Sequence, residues 1–281
     1  CFTVSEADQE HACIQTETKI LNTSDSNQAV TVHSRLTNAE GQCVLELSET
    51  VRIPAGGSET CRMTGILEHP ALWSPDTPSL YTLNTLLQDT NGALRLADTL
   101  PVGIRTFSFD PDHGFFLNGQ PLKFKGVCVQ HDAGALGAAV TREIWVRRLE
   151  KLKRMGCNAI RMSHNPHMPE LYDLCDSMGF LVMDEAFDEW ELPKNKWSTG
   201  HNVYPPKHQG YYRYFPEYHS RDLRTMILRD RNHPSLILWS IGNEIDYPND
   251  PYCHPRFETM TGNNDANKPE EERRYNPDRP N

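Results

Sequence analysis

Apolar and polar residues alternate along the first hundred positions of the chain. Val30, Val32 and Leu36 share one parity. Leu45, Leu47, Val51 and Ile53 do the same, with the charged Glu49 interrupting that face, and Tyr81, Leu83 and Leu87 repeat the spacing. A period of two is that of a half-buried strand. Glu40-Gly41, Pro54-Ala55-Gly56-Gly57 and Asn91-Gly92 punctuate these runs with turn chemistry, the last a strong hairpin signal. Many short strands at this spacing predict a β-sandwich of roughly 100 residues.

The period changes after Phe109. Asp110 to Gly114 reads as a turn, and Asn118-Gly119 as a second hairpin signal. Short apolar strands are expected over 124–129, 158–162, 180–183 and 236–241. Thr141 can cap a helix that runs to Met155, with Ile144, Leu149, Leu152 and Met155 along its inner side and Gly156 as its stop. Pro169 starts a second helix, with Leu171, Leu174, Cys175 and Met178 facing inward and Gly179 ending it. A long aromatic and proline-rich loop precedes a third helix around 222–231. Strand and helix in alternation mean a parallel sheet covered by helices. The expected organisation is an all-β sandwich over 1–107 followed by an α/β region over 108–281.

Each of the four α/β strands runs directly into polar, ionisable residues. The first leads to Gln130-His131-Asp132, and the second to Arg161, Ser163, His164 and Asn165. The third leads to Asp184-Glu185, then Asp188 and Glu189; the fourth leads to Asn243-Glu244. Parallel strands that place such groups at their carboxyl ends build one shared site, the layout of a (β/α)8 barrel. No G-x-G-x-x-G follows the first strand, which argues against a dinucleotide fold. Glu244 stands at the rim beside apolar residues such as Trp239, where a carboxyl can hold its proton and act as a donor. Asn243 can hold a substrate hydroxyl. Paired carboxylates on a barrel rim suggest glycoside hydrolysis. The competing reading pairs Glu244 with Arg161 in an ion-pair layer; four loaded strand ends favour the functional one.

His131, His164 and His167 read as hydrogen-bonding histidines of a polar cleft, because the last two flank Pro166 and lack the spacing of a helical zinc motif. Asp188, Glu189 and Glu191 read equally as a solvated acidic loop. Trp190, Trp197, Tyr204, Tyr211, Tyr212, Tyr214 and Phe215 suit either sugar stacking or a small core beneath the loop.

Charge and cysteine content narrow the partners. Lys+Arg 28 against Asp+Glu 38 gives a formal net charge of -10, a poor match to polyanions. Nucleic acid and anionic membrane are therefore discounted, and no apolar run approaches the roughly 20 residues of a membrane helix. The 8 cysteines include no C-x-x-C pair, so neither a disulfide framework nor a zinc site is expected. Cys157 and Cys175 read as buried thiols, and Cys43 and Cys61 are a candidate pair within a sandwich. Compartment is not legible.

Four blocks then carry a resemblance. RDRNHPSLILWSIGNE, ending at Glu244, resembles the acid/base signature of glycoside hydrolase family 2. NAIRMSHNP (158–166) and LVMDEAFDEW (181–190) resemble that family's second and third barrel strands, in order and spacing. WSPDTPSLY (73–81) and VGIRTFSF resemble the immunoglobulin-like domain before the barrel and its exit strand. The resemblance implies a retaining exo-β-glycosidase acting on terminal β-linked sugars. Glu244 then matches the general acid/base, and Asn243 the residue that binds the 2-hydroxyl. Arg161 and His164 match pocket positions, with His131, Asp132, Asp184 and Glu185 expected in or beside the pocket. In β-galactosidases the glutamate matched by Glu189 can bind magnesium with a histidine two residues later; here that position is Glu191, so no metal is assigned. The loop after Glu244 most resembles bacterial β-galactosidases. β-Glucuronidase, β-mannosidase and a non-catalytic carbohydrate-binding module are the alternatives. The family's nucleophile is a second glutamate on a later strand, so the chain is expected to be a middle piece. It would need the rest of the barrel, or a second copy, to cover its sheet.

Overall fold

The computed structural model describes residues 1–191 and 210–245. Trp197, Tyr204 and the loop following Ile245 lie outside the described residues. The chain divides into two compact units. One comprises 1–161, 168–183 and 229–238; the other comprises 162–167, 184–228 and the residues from Trp239 onward.

The first unit opens with the expected sandwich. Its strands are β1 (Phe2–Ala7), β2 (His11–Leu21), β3 (Gln28–Thr37), β4 (Cys43–Ile53), β5 (Ser58–Glu68), β6 (Tyr81–Gln88) and β7 (Leu94–Val102). They form two antiparallel sheets, β1-β2-β5 and β4-β3-β6-β7. The alternation seen in the sequence produces the core. Ile14, Leu36, Leu67, Leu83 and Val102 meet in one apolar cluster, and Val32, Val51, Ile53, Cys61 and Met63 in another. Each such side chain contributes about 1.5–3 kcal/mol through its removal from water. Asn91-Gly92 lies in the β6–β7 loop, but that loop spans residues 89–93 and closes on Asp89, whose side chain accepts from the Asn91 and Ala93 N–H groups. Cys43 is exposed and Cys61 buried, and both are free thiols, so the candidate disulfide is not formed.

A small sheet follows: β8 (Phe107–Asp110), β9 (Gly114–Leu117) and β10 (Gln120–Pro121), in the order β10-β9-β8. Asn118 and Gly119 both take positive φ, 51° and 73°, which a two-residue hairpin turn requires.

The α/β elements are β11 (Gly126–Gln130), α1 (Arg142–Arg154), β12 (Ala159–Ser163), α2 (Pro169–Met178), β13 (Leu181–Glu185), α3 (Phe215–Asp230) and β14 (Leu236–Ser240). The sheet order is β11-β12-β13-β14, with β12 and β13 parallel. Val182 N–H donates to Ser235 and Ala186 N–H to Ser240, so β14 advances in the same direction as β13. β11 starts later than expected. A Cβ at Gly126 would meet Ala159 at 3.0 Å, whereas Phe124 leaves the strand to pack on Phe115, centroids 4.7 Å apart. In α1 the buried residues are Trp145 and Leu149; Met155, expected on the inner side, is exposed. α2 agrees with expectation: Pro169 occupies its first turn, and Gly179 caps it in the left-handed conformation. A side chain at Gly179 would collide with the Pro75 carbonyl. α3 begins at Phe215, earlier than the apolar period indicated, with Pro216 tolerated in its first turn.

Within this unit the sandwich and the α/β elements share structure. Trp73, Phe115, Leu117, Leu181 and Ile237 form one cluster. Trp73 Nε1–H donates to the Asp176 carbonyl at 2.8 Å. The Arg105 guanidinium donates to the Pro234 and Leu236 carbonyls at 2.9 and 2.7 Å. Burial lowers its pKa to about 10, so it stays charged at neutral pH.

Candidate active site

β12, β13 and β14 each begin in the first unit and end in the second. Their carboxyl ends supply most of the candidate residues, and hydrogen bonds hold several of these in place. Glu185, the last residue of β13, is fully buried. Its Oε1 lies 2.7 Å from His164 Nδ1, just past β12, and its Oε2 accepts from Ser240 Oγ at 2.8 Å, the last residue of β14. Ser240 Oγ also lies 3.2 Å from the Gly242 carbonyl. Asn243 is buried; its N–H donates to the Phe187 carbonyl at 2.9 Å and its Nδ2 to Asp188 at 3.2 Å. Trp190 Nε1–H donates to the Ile241 carbonyl at 2.9 Å. The turn between β14 and Glu244 is thereby fixed from both flanks.

Glu244 follows this held turn. It is exposed among the described residues, and its φ of 46° is in the left-handed region. That region costs a non-glycine residue about 1–3 kcal/mol. Trp239, expected as an apolar wall, is also exposed. Asp184 is fully buried beside Glu185 in sequence. His167 is buried, with Nδ1 2.9 Å from the Asn165 carbonyl.

The acidic loop after β13 is not uniformly solvated. Glu189 is buried and accepts from Tyr212 N–H at 3.5 Å, whereas Glu191 is exposed. The described part of the aromatic loop forms a core. Phe187 stacks on Tyr211 at 4.8 Å and Trp190 on Phe215 at 5.5 Å, over Met226. Tyr211 donates to Asp222 at 2.7 Å; burial, with that carboxylate, pushes its hydroxyl pKa up. Tyr214 is exposed.

The first unit holds the remaining candidates. The His131 ring lies 6.2 Å from that of Trp145. Asp132 is exposed, 3.7 Å from Arg148. Arg161 is half-buried, and its Nη1 approaches Cys128 Sγ at 3.8 Å. Asp173, Asp176 and His233 bring three ligand-type atoms within 4.8 Å of one another. Both Asp176 oxygens are engaged there, by His233 Nδ1 at 2.5 Å and Ser235 N–H at 3.0 Å, so the group is a hydrogen-bond network joining α2 to the start of β14.

Ser240 and the Asp188–Asn243 contact were not singled out by sequence. A hydroxyl closing the apolar run LILWS was the available signal for the first. The second links residues 55 apart, which no local pattern shows.

Comparison with known proteins agrees with this architecture. Residues 111–268 match the model for glycosyl hydrolases family 2, TIM barrel domain, and residues 1–105 match a second model of glycosyl hydrolases family 2. The chain belongs to glycoside hydrolase family 2. It is 49% identical over 243 residues to a β-galactosidase of Bacteroides ovatus, covering 86% of this chain and 27% of that protein. It is 41% identical over 175 residues to a putative β-glucuronidase of Formosa agariphila, covering 62% and 16% respectively. A crystal structure of a family 2 member from Bacteroides cellulosilyticus superposes with a TM-score of 0.77 at 34% identity, covering 87% of this chain and 30% of that one. The chain thus spans about a quarter of the length of the Bacteroides ovatus relative.

Proposed function

We propose that this chain carries the acid/base part of a retaining exo-β-glycosidase whose substrate is a terminal β-galactoside. One observation carries the reading: Asn243 is held through both its backbone N–H and its side-chain amide, and Glu244 emerges from it exposed. A proton donor needs a carboxyl presented from a rigid element at the carboxyl end of a barrel strand. Glu244, protonated, donates to the leaving glycosidic oxygen while a second carboxylate attacks the anomeric carbon. The C–O bond to the leaving group breaks as the sugar becomes an ester of that carboxylate. Ionised Glu244 then takes a proton from water, whose oxygen displaces the carboxylate and restores the original configuration. Asn243 holds the 2-hydroxyl. His164, Arg161, His131, Asp132, Asp184 and Glu185 are the further substrate-binding residues of this reading. The domain division at residues 107/108 belongs to the same proposal.

Likeness to the Bacteroides ovatus β-galactosidase supports the sugar. The Formosa agariphila relative favours a β-glucuronide as the second reading. A uronate carboxylate calls for basic partners, and the strand-end blocks carry mainly acids, Asp184, Glu185, Asp188, Glu189 and Glu244, which counts against it.

The test is hydrolysis of nitrophenyl β-galactoside and β-glucuronide by the protein at its natural length, with Glu244→Gln as the partner variant. Galactoside turnover is expected, with a loss of about 10²–10⁴-fold in the variant for poor leaving groups and less for good ones. Equal losses on both would remove Glu244 from the acid role, and faster glucuronide cleavage would select the second reading. Binding of a galactose-like inhibitor that Asn243→Ala leaves unchanged would point to a non-catalytic carbohydrate module.

A further inference from the structure

Glu185 is sealed from solvent, whereas the His164 side chain in front of it is 25% exposed. A group without access cannot touch a sugar, but the ring it holds can. A carboxylate only accepts hydrogen bonds. His164 Nδ1 at 2.7 Å and Ser240 Oγ at 2.8 Å are therefore donors to it. The acceptor behind an imidazole decides which ring nitrogen carries the proton and how the ring is aimed. Here the carboxylate assigns a proton to Nδ1, and Nε2 is the ring atom that faces a ligand. Ser240, whose single hydroxyl proton goes to this carboxylate, is the last residue of β14 and stands three residues before Asn243.

We propose that Glu185 is a positioning residue: it fixes the Nδ1–H form and orientation of His164, and its bond from Ser240 holds that ring beside the end of β14. This deepens the glycosidase reading and rests on it. With Nδ1–H committed to Glu185, Nε2 is the ring atom that meets a sugar hydroxyl.

A double-variant cycle on nitrophenyl β-galactoside, using the protein at its natural length, tests this. Glu185→Ala is expected to lower kcat/KM by about 10–100-fold, the range for carboxylates that orient ligand histidines. Glu185→Gln, whose carbonyl can still accept from Nδ1–H, recovers most of the loss. In a His164→Ala background Glu185→Ala adds nothing, because its route to the substrate is gone. Losses that multiply in the double variant overturn the proposal. Should Glu185→Ala not fold, Ser240→Ala removes one donor to this carboxylate and runs the same cycle with His164→Ala. Ring ¹⁵N shifts of His164 give a readout that needs no turnover. Nδ1–H in the wild type, displaced towards Nε2–H in Glu185→Ala, supports the assignment; Nε2–H in the wild type refutes it. A wild type that shows the Nδ1–H signature but cleaves no β-glycoside would keep the positioning role and remove the glycosidase reading.

Discussion

β3 and β13 bury their residues by different rules. In β3, Val32, Ser34 and Leu36 are buried and their neighbours half-buried, so one face meets the core. In β13, Leu181, Val182, Asp184 and Glu185 are all buried, so both faces are covered. A strand covered on one face needs apolar residues at every second position. A strand covered on both should be apolar throughout, and β13 is not: its last two residues are acids. An unmet expectation of that kind locates chemistry, because a buried carboxyl persists only where partners receive it. Periodicity thus reports where the chain gains stability, and its violation reports where buried polar groups must find partners.

Four variants sharpen or break this contrast, taken from the largest effect. Trp73→Ala, on the packing side, should cost about 3–5 kcal/mol in stability, read as a fall in the denaturant midpoint. A cost under 1 kcal/mol would show that its cluster with Leu181 and Ile237 is not a core. Gly179→Ala should cost at least about 1–3 kcal/mol from its left-handed φ of 72°, with the Pro75 collision adding to it. Glu244→Gly, on the functional side, should act in the opposite sense. It relieves a left-handed non-glycine residue, so stability should rise by about 1 kcal/mol while turnover is lost. Unchanged stability would mean the φ of 46° carries no strain.

The smallest effect is a pH dependence at His233. Burial alone lowers its pKa, but the hydrogen bond and charge of Asp176, with Asp230 and Asp173, outweigh burial, and the net shift is upward from 6.5. A raised folded-state pKa stabilises the fold at pH below the unfolded value and loses that stabilisation as pH rises through the folded value. Melting midpoints of the wild type relative to His233→Gln should therefore decline as pH climbs from about 6 through the neutral range. Parallel curves would remove the imidazolium from the stability of this network.

Much of this was legible from the residues, and the remainder was hidden for identifiable reasons. Period-two runs gave the sandwich strands, and Pro169 with Gly179 bounded α2 to the residue. Gly126 and Phe124 displaced the start of β11 because close approach to Ala159 and aromatic packing are tertiary facts. Met155 was placed inward by helical spacing, yet it is the C-cap residue just past the end of α1 and is exposed, while Trp145 and Leu149 are the buried residues of the helix. At the site, chain order brought forward Asp184-Glu185 and Asn243-Glu244. It could not show that Glu189 is buried while Glu191 is exposed, nor that Glu185 faces a histidine on one side and a serine on the other. Those depend on which strands become neighbours.

The shared core of the first unit bears on how such a protein can be inherited. Trp73 and Arg105 come from the β-rich half of the sequence, and they satisfy carbonyls that belong to α2 and to the approach and first turn of β14. Phe2 N–H reaches the Asn232 side chain at 2.9 Å, from the first residues of the chain to the end of α3. A recombination event that exchanged the sandwich alone would remove the guanidinium and the indole N–H and leave the Asp176, Pro234 and Leu236 carbonyls without these donors. Descent should therefore transmit the sandwich and the barrel strands as one inseparable heritable block, with variation accumulating in the loops beyond the strand ends.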